Sequence, residues 1–346
     1  MQMRQFGLWV LLWVGILASG AQGEELRVLM IGNSYTFYNS LPDALMALSR
    51  RTDCPLHVDS YTAGAMSLRG FLDSPAHAKA QQMLVSGDYD WVVLQDQSQT
   101  PADKPEETLN AVRRWAEMAK AQDTRVLLFL TWAHASGSAG RMVLLENMQE
   151  RTSSTYCEAA VENGARVAPV GEAWARWYRQ FPGKALHAQD CSHPNAEGTY
   201  LAACVLHGAL SGKALRSMPA TLKLGQRVVL QVPGSSAVAL QKTANAALKA
   251  FKSPRAWLEK QAKKDARRVS AGEAKEALKK GMKVDELVDL LGKPYFVSDS
   301  AGQRVLQFLL RGGAELCAYC SLRGTVRQVS IAIPGQRVDI VDLGEL

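Results

Sequence analysis

The stretch Val28-Leu29-Met30-Ile31-Gly32-Asn33-Ser34-Tyr35-Thr36 is an apolar run that ends in a Gly-Asn-Ser turn. The apolar run predicts a strand over Leu26–Ile31. A serine that directly follows a buried strand can lie on a sharp strand-to-helix turn, where its hydroxyl group is exposed. Ser34 is therefore a candidate nucleophile. The structural alternative is an ordinary turn or helix-cap residue.

Strand-like and helix-like segments alternate from Leu26 to about Ala168. The runs that we predict as strands are Leu26–Ile31, Leu56–Ser60, Trp91–Leu94, Arg125–Leu130 and Arg166–Val170. Segments with helical character lie between them, at Pro42–Arg51, Ala76–Val85, Glu106–Ala121 and Met142–Asn163. Regular alternation of this kind predicts an α/β fold, in which a parallel sheet carries helices on both faces.

Residues able to take part in chemistry follow each predicted strand. They are Gly32-Asn33-Ser34, Ala63-Gly64-Ala65, Gln95-Asp96-Gln97-Ser98, Trp132-Ala133-His134 and Gly171-Glu172. Because ligands bind at the carboxyl ends of the strands in such sheets, we expect these five segments to converge on one edge.

A second motif, Asp190-Cys191-Ser192-His193-Pro194, places a carboxylate and an imidazole three residues apart. A serine hydroxyl is a weak nucleophile unless a base within hydrogen-bond reach removes its proton. His193 suits that role because imidazole titrates near neutral pH, and Asp190 would orient the ring and stabilise its charged form. The alternative is a hydrogen-bonded Asp/His pair that only stiffens a loop.

The chain has 346 residues, so about two domains are expected. Residues 1–23 combine Arg4, a short apolar stretch and small residues before Glu24, which is the pattern of a signal peptide. We therefore expect an exported protein, periplasmic or secreted, without an integral membrane span after cleavage. The net charge of +7 is mild, and the basic residues concentrate between 253 and 280. We interpret this segment as a solvated linker or helix face rather than a nucleic-acid site.

The six cysteines are an even set, and export would place them in an oxidising compartment. Some disulfides are therefore expected, with their connectivity left open. Cys317-Ala-Tyr-Cys320 lies in a β-like run, whereas a redox pair sits at a helix N-terminus. One such pair is also too few ligands for zinc, and no other metal-ligand spacing occurs, so a site without metal or cofactor is expected.

The serine block, Thr62-Ala63-Gly64 and the Asp190/His193 pair resemble the SGNH (GDSL-type) hydrolase superfamily, over roughly Leu26 to Ala250. The resemblance is greatest to an exported branch with the block Ile-Gly-Asn-Ser-Tyr/Phe-Thr. It implies a flavodoxin-like three-layer sandwich around a five-stranded parallel sheet.

The resemblance also implies roles for individual residues. Ser34 would attack an ester with His193 as base and Asp190 as orienting acid. The oxyanion hole would comprise Ser34, Gly64 and a third donor. Gln97 stands where the family has an asparagine, and Gln95 is the competing candidate for that donor.

Four further residues near the predicted strand ends are candidates for contact with a substrate: Tyr35, Trp132, His134 and Glu172. Each has a structural alternative, since aromatic and histidine side chains at such positions often pack or hydrogen-bond within the fold. The reaction implied is hydrolysis of an ester, such as an acetyl group on a carbohydrate. The alternative is a glycan-binding or envelope scaffold protein with a degenerate pocket.

The segment from Gly281 to Pro294 contains a Gly-Met turn, a short helical pattern and a Leu-Gly-Lys-Pro stop. It resembles the SmpA/OmlA (BamE-like) domain, which implies a protein partner in the cell envelope. The alternative is a packing appendage. The domain organisation that we expect is a signal peptide at 1–23, a hydrolase domain at 24–252, a basic linker at 253–270 and an α+β domain at 271–346.

Overall fold

The computed structural model describes residues 24–137, 142–294, 296–300, 302–333 and 336–343, so the predicted signal peptide lies outside the described residues. The strands before residue 252 are β1 (Leu26–Gly32), β2 (Leu56–Thr62), β3 (Trp91–Leu94), β4 (Arg125–Phe129), β5 (Ala135–Ser136), β6 (Val143–Leu144), β7 (Arg166–Ala168), β8 (Thr221–Leu224) and β9 (Arg227–Gln231).

The helices of the same region are α1 (Ser34–Phe37), α2 (Leu41–Ser49), α3 (Leu68–Asp73), α4 (Ala78–Ser86), α5 (Thr100–Asp103), α6 (Pro105–Ala121), α7 (Glu146–Asn163), α8 (Val170–Gln180), α9 (Ala196–Ser211) and α10 (Gly234–Ala250). Short 3₁₀ turns lie at Tyr38–Ser40 and Pro75–His77.

Five strands form one parallel sheet in the order β2-β1-β3-β4-β7. Side chains of β1 alternate between two cores: Val28 and Met30 pack on one face, and Leu29 and Ile31 on the other. Helices α2, α9 and α10 cover the first face, and α3, α4, α6 and α7 cover the second. The predicted α/β sandwich with a five-stranded parallel sheet is therefore confirmed.

The register of the sheet sets the position of the candidate site. Gly32 of β1 is level with Thr62 of β2, and the N–H group of Ala63 donates to the carbonyl of Gly32. Ser34 and Gly64 each follow two residues later, so both leave the sheet at the same edge.

Several predicted bounds differ from the structure by one or two residues, and two differences change the type of element. The helix expected from Met142 begins at Glu146, because β6 pairs with β5 in a small hairpin. The strand expected to reach Val170 ends at Ala168, and helix α8 begins directly after Pro169. The strand end that we predicted around Glu172 is thus the first turn of a helix.

The expected basic linker contains helix α11 (Pro254–Asp265). Trp257 and Leu258 of this helix pack against the core on the α7 side of the sheet. Arg268, just beyond the helix, donates through Nη2 to Oε2 of Glu150 at 2.8 Å, and both side chains are largely buried. The segment is therefore a packed helix on the first domain.

The remaining elements are helices α12 (Ala271–Ala277) and α13 (Val284–Leu291) and strands β10 (Phe296–Ser300), β11 (Gln303–Leu309), β12 (Glu315–Ser321), β13 (Val326–Ala332) and β14 (Asp339–Asp342). The strands form an antiparallel sheet in chain order, which has its own apolar core with the two helices. This arrangement is a small α+β module.

All six cysteines are free thiols in the structure. Cys157 and Cys204 lie in the cores on opposite faces of the parallel sheet, and Cys320 lies in the core of the C-terminal module. The expectation of disulfides is therefore not met, since these cysteines belong to separate packing layers. Among the described helices, none combines the length and the apolar character that crossing a membrane would require.

Candidate active site

Three side chains form a continuous hydrogen-bonded chain at the edge where β1 ends. Oγ of Ser34 lies 2.8 Å from Nε2 of His193. Nδ1 of the same ring lies 2.6 Å from Oδ2 of Asp190. This is the order of contacts that nucleophile, base and orienting acid require. The sequence motifs that suggested these residues are thus brought together by the fold.

Ser34 is held by the turn that precedes it. Oδ1 of Asn33 accepts from the N–H group of Tyr35 at 3.1 Å and caps helix α1, while Nδ2 donates to the carbonyl of Met66 at 3.0 Å. The N–H group of Ser34 begins this helical turn, where N–H groups have no partner within the helix. The turn therefore presents both the hydroxyl and the N–H group of Ser34 at the sheet edge.

The carboxylate of Asp190 is fixed by its own loop. Oδ1 accepts from the N–H groups of Ser192 at 3.0 Å and His193 at 2.9 Å. Partial burial raises the pKa of Asp190, but these hydrogen bonds and the imidazole lower it by more, so the net pKa lies below its usual value. Asp190 therefore stays ionised beside His193 at neutral pH.

Gly64 provides a backbone donor close to the end of β1. Among the described residues, no acceptor lies within hydrogen-bond reach of its N–H group. A Cβ atom at this position would meet nothing within 4 Å, and the next residue, Ala65, has a left-handed φ of 57°. The N–H group of Gly64 is thus exposed and available to an oxyanion.

The two glutamines of the third block have different environments. Gln95 is fully buried, and its Oε1 accepts from the N–H group of Asn33 at 2.8 Å and from Oγ1 of Thr36 at 2.8 Å. Its Nε2 donates to the carbonyl of Asp96. Because Gln95 has no exposed surface and its amide oxygen and nitrogen both bond within the fold, it is the weaker candidate for an oxyanion donor.

Gln97 is half-buried and keeps one amide hydrogen uncommitted. Its Oε1 accepts from the N–H groups of Gln99 at 2.7 Å and Thr100 at 3.0 Å, at the start of α5. Its Nε2 contacts Oγ of Ser98 at 3.3 Å. An amide nitrogen carries two hydrogens, so Gln97 remains the candidate for the third donor.

Asp96, between these glutamines, is a structural carboxylate. It is 1% exposed and accepts from the N–H group of Leu68 at 2.8 Å and from Oγ1 of Thr108 at 2.6 Å. Burial raises the pKa of Asp96 and outweighs these hydrogen bonds. Through Leu68 it joins the third block to the segment after Gly64, so it helps to place two candidate oxyanion donors.

Two of the predicted substrate contacts are core residues. Trp132 is fully buried between the rings of Tyr35 and Trp174, at centroid distances of 4.6 and 4.1 Å. Nε1 of Trp132 donates to the carbonyl of Ser192 at 2.9 Å. Its ring therefore has no free surface for a substrate, and it supports the loop that carries His193.

Tyr35 is 2% exposed, and its hydroxyl group lies 2.8 Å from Oγ of Ser192. Burial raises the pKa of Tyr35 to about 12, so the phenol stays neutral. Like Trp132, Tyr35 contacts Ser192 from the core side and so supports the loop between Asp190 and His193; it is not a pocket residue.

His134 does lie beside the triad. Its Nε2 is 3.2 Å from Oγ of Ser192 and 3.3 Å from Oγ of Ser98, and the ring is half-buried. Burial lowers the pKa of His134, so it is neutral at pH 7. Glu172 lies elsewhere: it accepts from Oγ of Ser153 at 2.7 Å and lines a cavity with Trp257. The structure does not bring Glu172 to the site.

Tyr38 and Asn39 contact the site, although sequence reasoning did not single them out. The ring of Tyr38 stacks on that of His193 at 4.6 Å. Nδ2 of Asn39 donates to the carbonyl of Pro194 at 2.9 Å and contacts Oγ1 of Thr199 at 2.9 Å. Both residues therefore tie the nucleophile turn to the histidine loop. Nowhere in the described ranges do three or more His, Cys, Asp or Glu side chains converge as a metal site would require.

Comparison with known proteins concerns mainly the first domain. No protein-family model matches the chain, and no curated protein sequence matches it significantly. A solved structure of a protein assigned to the SGNH hydrolases, from Slackia heliotrinireducens, is 30% identical, with a TM-score of 0.46; the match covers 54% of this chain and 100% of that one.

Two other solved structures are similar at lower identity. A DUF4886 family protein from Bacteroides uniformis is 16% identical, with a TM-score of 0.52 and coverage of 65% of this chain and 95% of that one. An acetyl-xylooligosaccharide esterase from Geobacillus is 13% identical, with a TM-score of 0.44 and coverage of 56% and 98%. The Bacteroides structure supports the fold alone. The first domain of the chain is thus similar to the Slackia SGNH hydrolase over the whole length of that protein.

Proposed function

We propose that this protein is an exported serine esterase that removes a small acyl group, such as acetyl, from a carbohydrate. The observation that carries the proposal is the hydrogen-bonded chain from Ser34 through His193 to Asp190, at 2.8 and 2.6 Å. At the same edge, the N–H group of Gly64, which has no hydrogen-bond partner in the described part of the chain, would supply a donor for the oxyanion.

In the first half of the reaction, Oγ of Ser34 attacks the ester carbonyl carbon while Nε2 of His193 takes its proton. Asp190 stabilises the imidazolium that forms. The carbonyl oxygen becomes an oxyanion that accepts hydrogen bonds from the N–H groups of Ser34 and Gly64 and from Nε2 of Gln97. The C–O bond to the alcohol then breaks, and His193 returns the proton to the leaving oxygen.

In the second half, a water molecule attacks the acyl-enzyme and gives its proton to His193. The tetrahedral intermediate collapses by breaking the bond to Ser34, whose oxygen recovers the proton. The products are the free acid and the original enzyme. The partial exposure of the triad, with side chains of His193 and Asp190 that are 28% and 47% accessible, suits an ester on a large, soluble molecule.

The first experiment compares hydrolysis of p-nitrophenyl acetate by residues 24–346 and by the same chain with Ser34→Ala. Removing the nucleophilic serine of a triad lowers kcat by about a millionfold and leaves only the residual catalysis of the oxyanion hole and substrate binding, so the variant should lose nearly all of the activity. Equal rates in the two proteins would refute the esterase proposal. The alternative would then be a glycan-binding protein, which the replacement of the family's asparagine by Gln97 favours.

We also propose a protein contact for the C-terminal module, as its resemblance to the SmpA/OmlA domain implies. Its edge strand β14 exposes Ile340, which is 66% accessible, next to Val338, which is 56% accessible. An exposed apolar edge strand can pair with another chain. Ile340→Lys should abolish cross-linking to an envelope protein while Ser34→Ala preserves it; cross-linking that survives Ile340→Lys would refute the proposal.

A further inference from the structure

Two large aromatic side chains are exposed directly after the nucleophile. Phe37 is 43% and Tyr38 is 36% accessible, whereas Tyr35, in the same short segment, is buried. Exposing two adjacent aromatic rings to water does not stabilise the fold, because apolar surface is more stable when it is buried. Neighbouring exposed apolar side chains at a reactive site indicate a binding surface.

The backbone places these rings on the side of the turn that carries Ser34. Phe37 and Tyr38 follow Ser34 by three and four residues, and residues at this spacing share one face of a helical turn. The N–H group of Tyr38 donates to the carbonyl of Ser34, which fixes this relationship. The stacking of Tyr38 on His193 places its ring beside the triad. Side chains of a helical turn lean towards its N-terminus, which favours the same side for Phe37.

The segment after the rings is rigid and strained. Asn39 and Ser40 have φ angles of 50° and 54°, in the left-handed region that residues with a Cβ atom rarely adopt. The amide of Asn39 is anchored to Pro194 and Thr199. The rings are therefore presented by a preorganised turn, which limits the entropy lost when a ligand binds.

The two rings have different surroundings. Tyr38 already stacks on His193, with centroids 4.6 Å apart and an angle of 22° between the rings. Among the described residues, no aromatic ring stacks on Phe37. Phe37 thus offers free aromatic surface, and Tyr38 joins that surface to the general base.

We propose that Phe37 and Tyr38 form a platform that binds a pyranose ring in the alcohol part of the ester, an inference that rests on the proposed esterase function. A pyranose presents an apolar C–H face that one aromatic surface can cover while its hydroxyl groups stay in water. A long acyl chain, in contrast, gains the most binding free energy in a pocket that encloses it on all sides. The accessible triad, with Asp190 47% exposed, favours the sugar.

The test compares kcat/KM for two acetate esters, fully acetylated cellobiose and p-nitrophenyl acetate, in the wild type and in Phe37→Ala. The ratio of the sugar ester to the phenyl ester should fall about fivefold to tenfold, the usual effect of losing one aromatic contact. Phe37→Trp should restore it. Val85→Ala, which alters a side chain that is 50% exposed on α4, is the matched control and should leave the ratio unchanged.

Three outcomes would overturn the platform: an unchanged ratio, a ratio that Val85→Ala lowers equally, or a selective loss of activity on p-nitrophenyl decanoate. Binding of acetylated cellobiose to Ser34→Ala separates this inference from the esterase proposal. Weaker binding to the double variant Ser34→Ala, Phe37→Ala than to Ser34→Ala would support the platform even if no hydrolysis occurs. Unchanged binding would refute the platform while leaving the esterase reaction to its own test.

Discussion

Nε2 of His193 lies 2.8 Å from Oγ of Ser34, although 159 residues separate the two in the chain. Ser34 follows β1, an inner strand of the parallel sheet, and the loop before α9 places His193 at the same edge of the sheet. The contact depends on a buried support, since Trp132 and Tyr35 hold Ser192, the residue next to His193.

Asp190→Asn should preserve the fold and remove most of the activity. The neutral amide cannot stabilise the imidazolium and favours the wrong ring tautomer, so we expect kcat to fall by about a thousandfold or more. Asp88→Asn, at a side chain that is 100% exposed, is the control. Steady-state kinetics with p-nitrophenyl acetate measure the effect, and a loss of less than tenfold would contradict the assigned role.

Gln97→Glu tests the third oxyanion donor without removing the side-chain acceptor at the start of α5. A carboxylate keeps the acceptor for the N–H groups of Gln99 and Thr100 but replaces the donating nitrogen with an oxygen. We expect kcat to fall by about a hundredfold, the usual effect of losing an oxyanion donor. Gln99→Glu adds the same charge at an exposed neighbour. Similar activity in both variants would show that Gln97 is not a donor.

His187 should make the protein less stable in mild acid. The ring is 2% exposed, and Nε2 donates to the carbonyl of Ala133 at 3.0 Å while Nδ1 accepts from the hydroxyl of Tyr178 at 2.6 Å. Burial lowers the pKa of His187 to about 4. Between pH 6.5 and 4 the unfolded chain therefore binds the proton more readily, and the free energy of unfolding decreases as the pH falls.

The expected loss from this histidine is about 3 kcal/mol across that range, at about 1.4 kcal/mol per pKa unit. Urea unfolding at pH 7 and pH 4.5 measures it. His187→Gln should show a smaller difference between the two pH values than the wild type. His57→Gln, at a histidine whose side chain is 49% exposed, should behave like the wild type. An equal pH dependence in His187→Gln and the wild type would contradict the prediction.

Arg268→Ala should loosen the attachment of the C-terminal module. Arg268 pairs with Glu150 of α7, and the backbone of the same segment contacts the turn at Arg311. Removing Arg268 should cost about 2 kcal/mol, the usual worth of hydrogen bonds to a charged group, because Nζ of Lys264, 2.7 Å from Oε2, still pairs with Glu150. Arg267→Ala, an exposed neighbour, should change the free energy of unfolding by less than about 0.5 kcal/mol. Equal unfolding midpoints in the two variants would refute the prediction.

The sheet and the triad could be predicted because each depends on a local pattern. Apolar runs separated by helical segments specify parallel strands, and their carboxyl ends share one edge. The strand Trp91–Leu94 matches its predicted bounds, and the short helical pattern predicted between Gly281 and Pro294 is the helix Val284–Leu291. The position of Ser34 after β1 and the three-residue spacing of Asp190 and His193 were enough to predict that these residues form one site.

The support of the site could not be predicted, since it depends on which way side chains point after a strand has ended. Tyr35 and Trp132 looked like pocket residues, but their rings stack inside the core. Gln95 and Gln97 lie beyond the last residue of β3, where strand alternation no longer assigns a face. Helix α8 begins directly after Pro169, so Glu172 lies in its first turn and not at the site. The exposed pair Phe37 and Tyr38 has a signal in the sequence, since the two residues follow Ser34 at the spacing of one helical turn.

The central claim is that Ser34 is an activated nucleophile. Its most direct measurement is the mass of the intact chain, and of its tryptic peptides, after incubation with a fluorophosphonate ester. We expect one adduct, on the peptide that contains Ser34, because His193 within hydrogen-bond reach activates this hydroxyl group. The Ser34→Ala chain should remain unlabelled. A wild-type chain that forms no adduct, or a Ser34→Ala chain labelled at the same rate, would contradict the account.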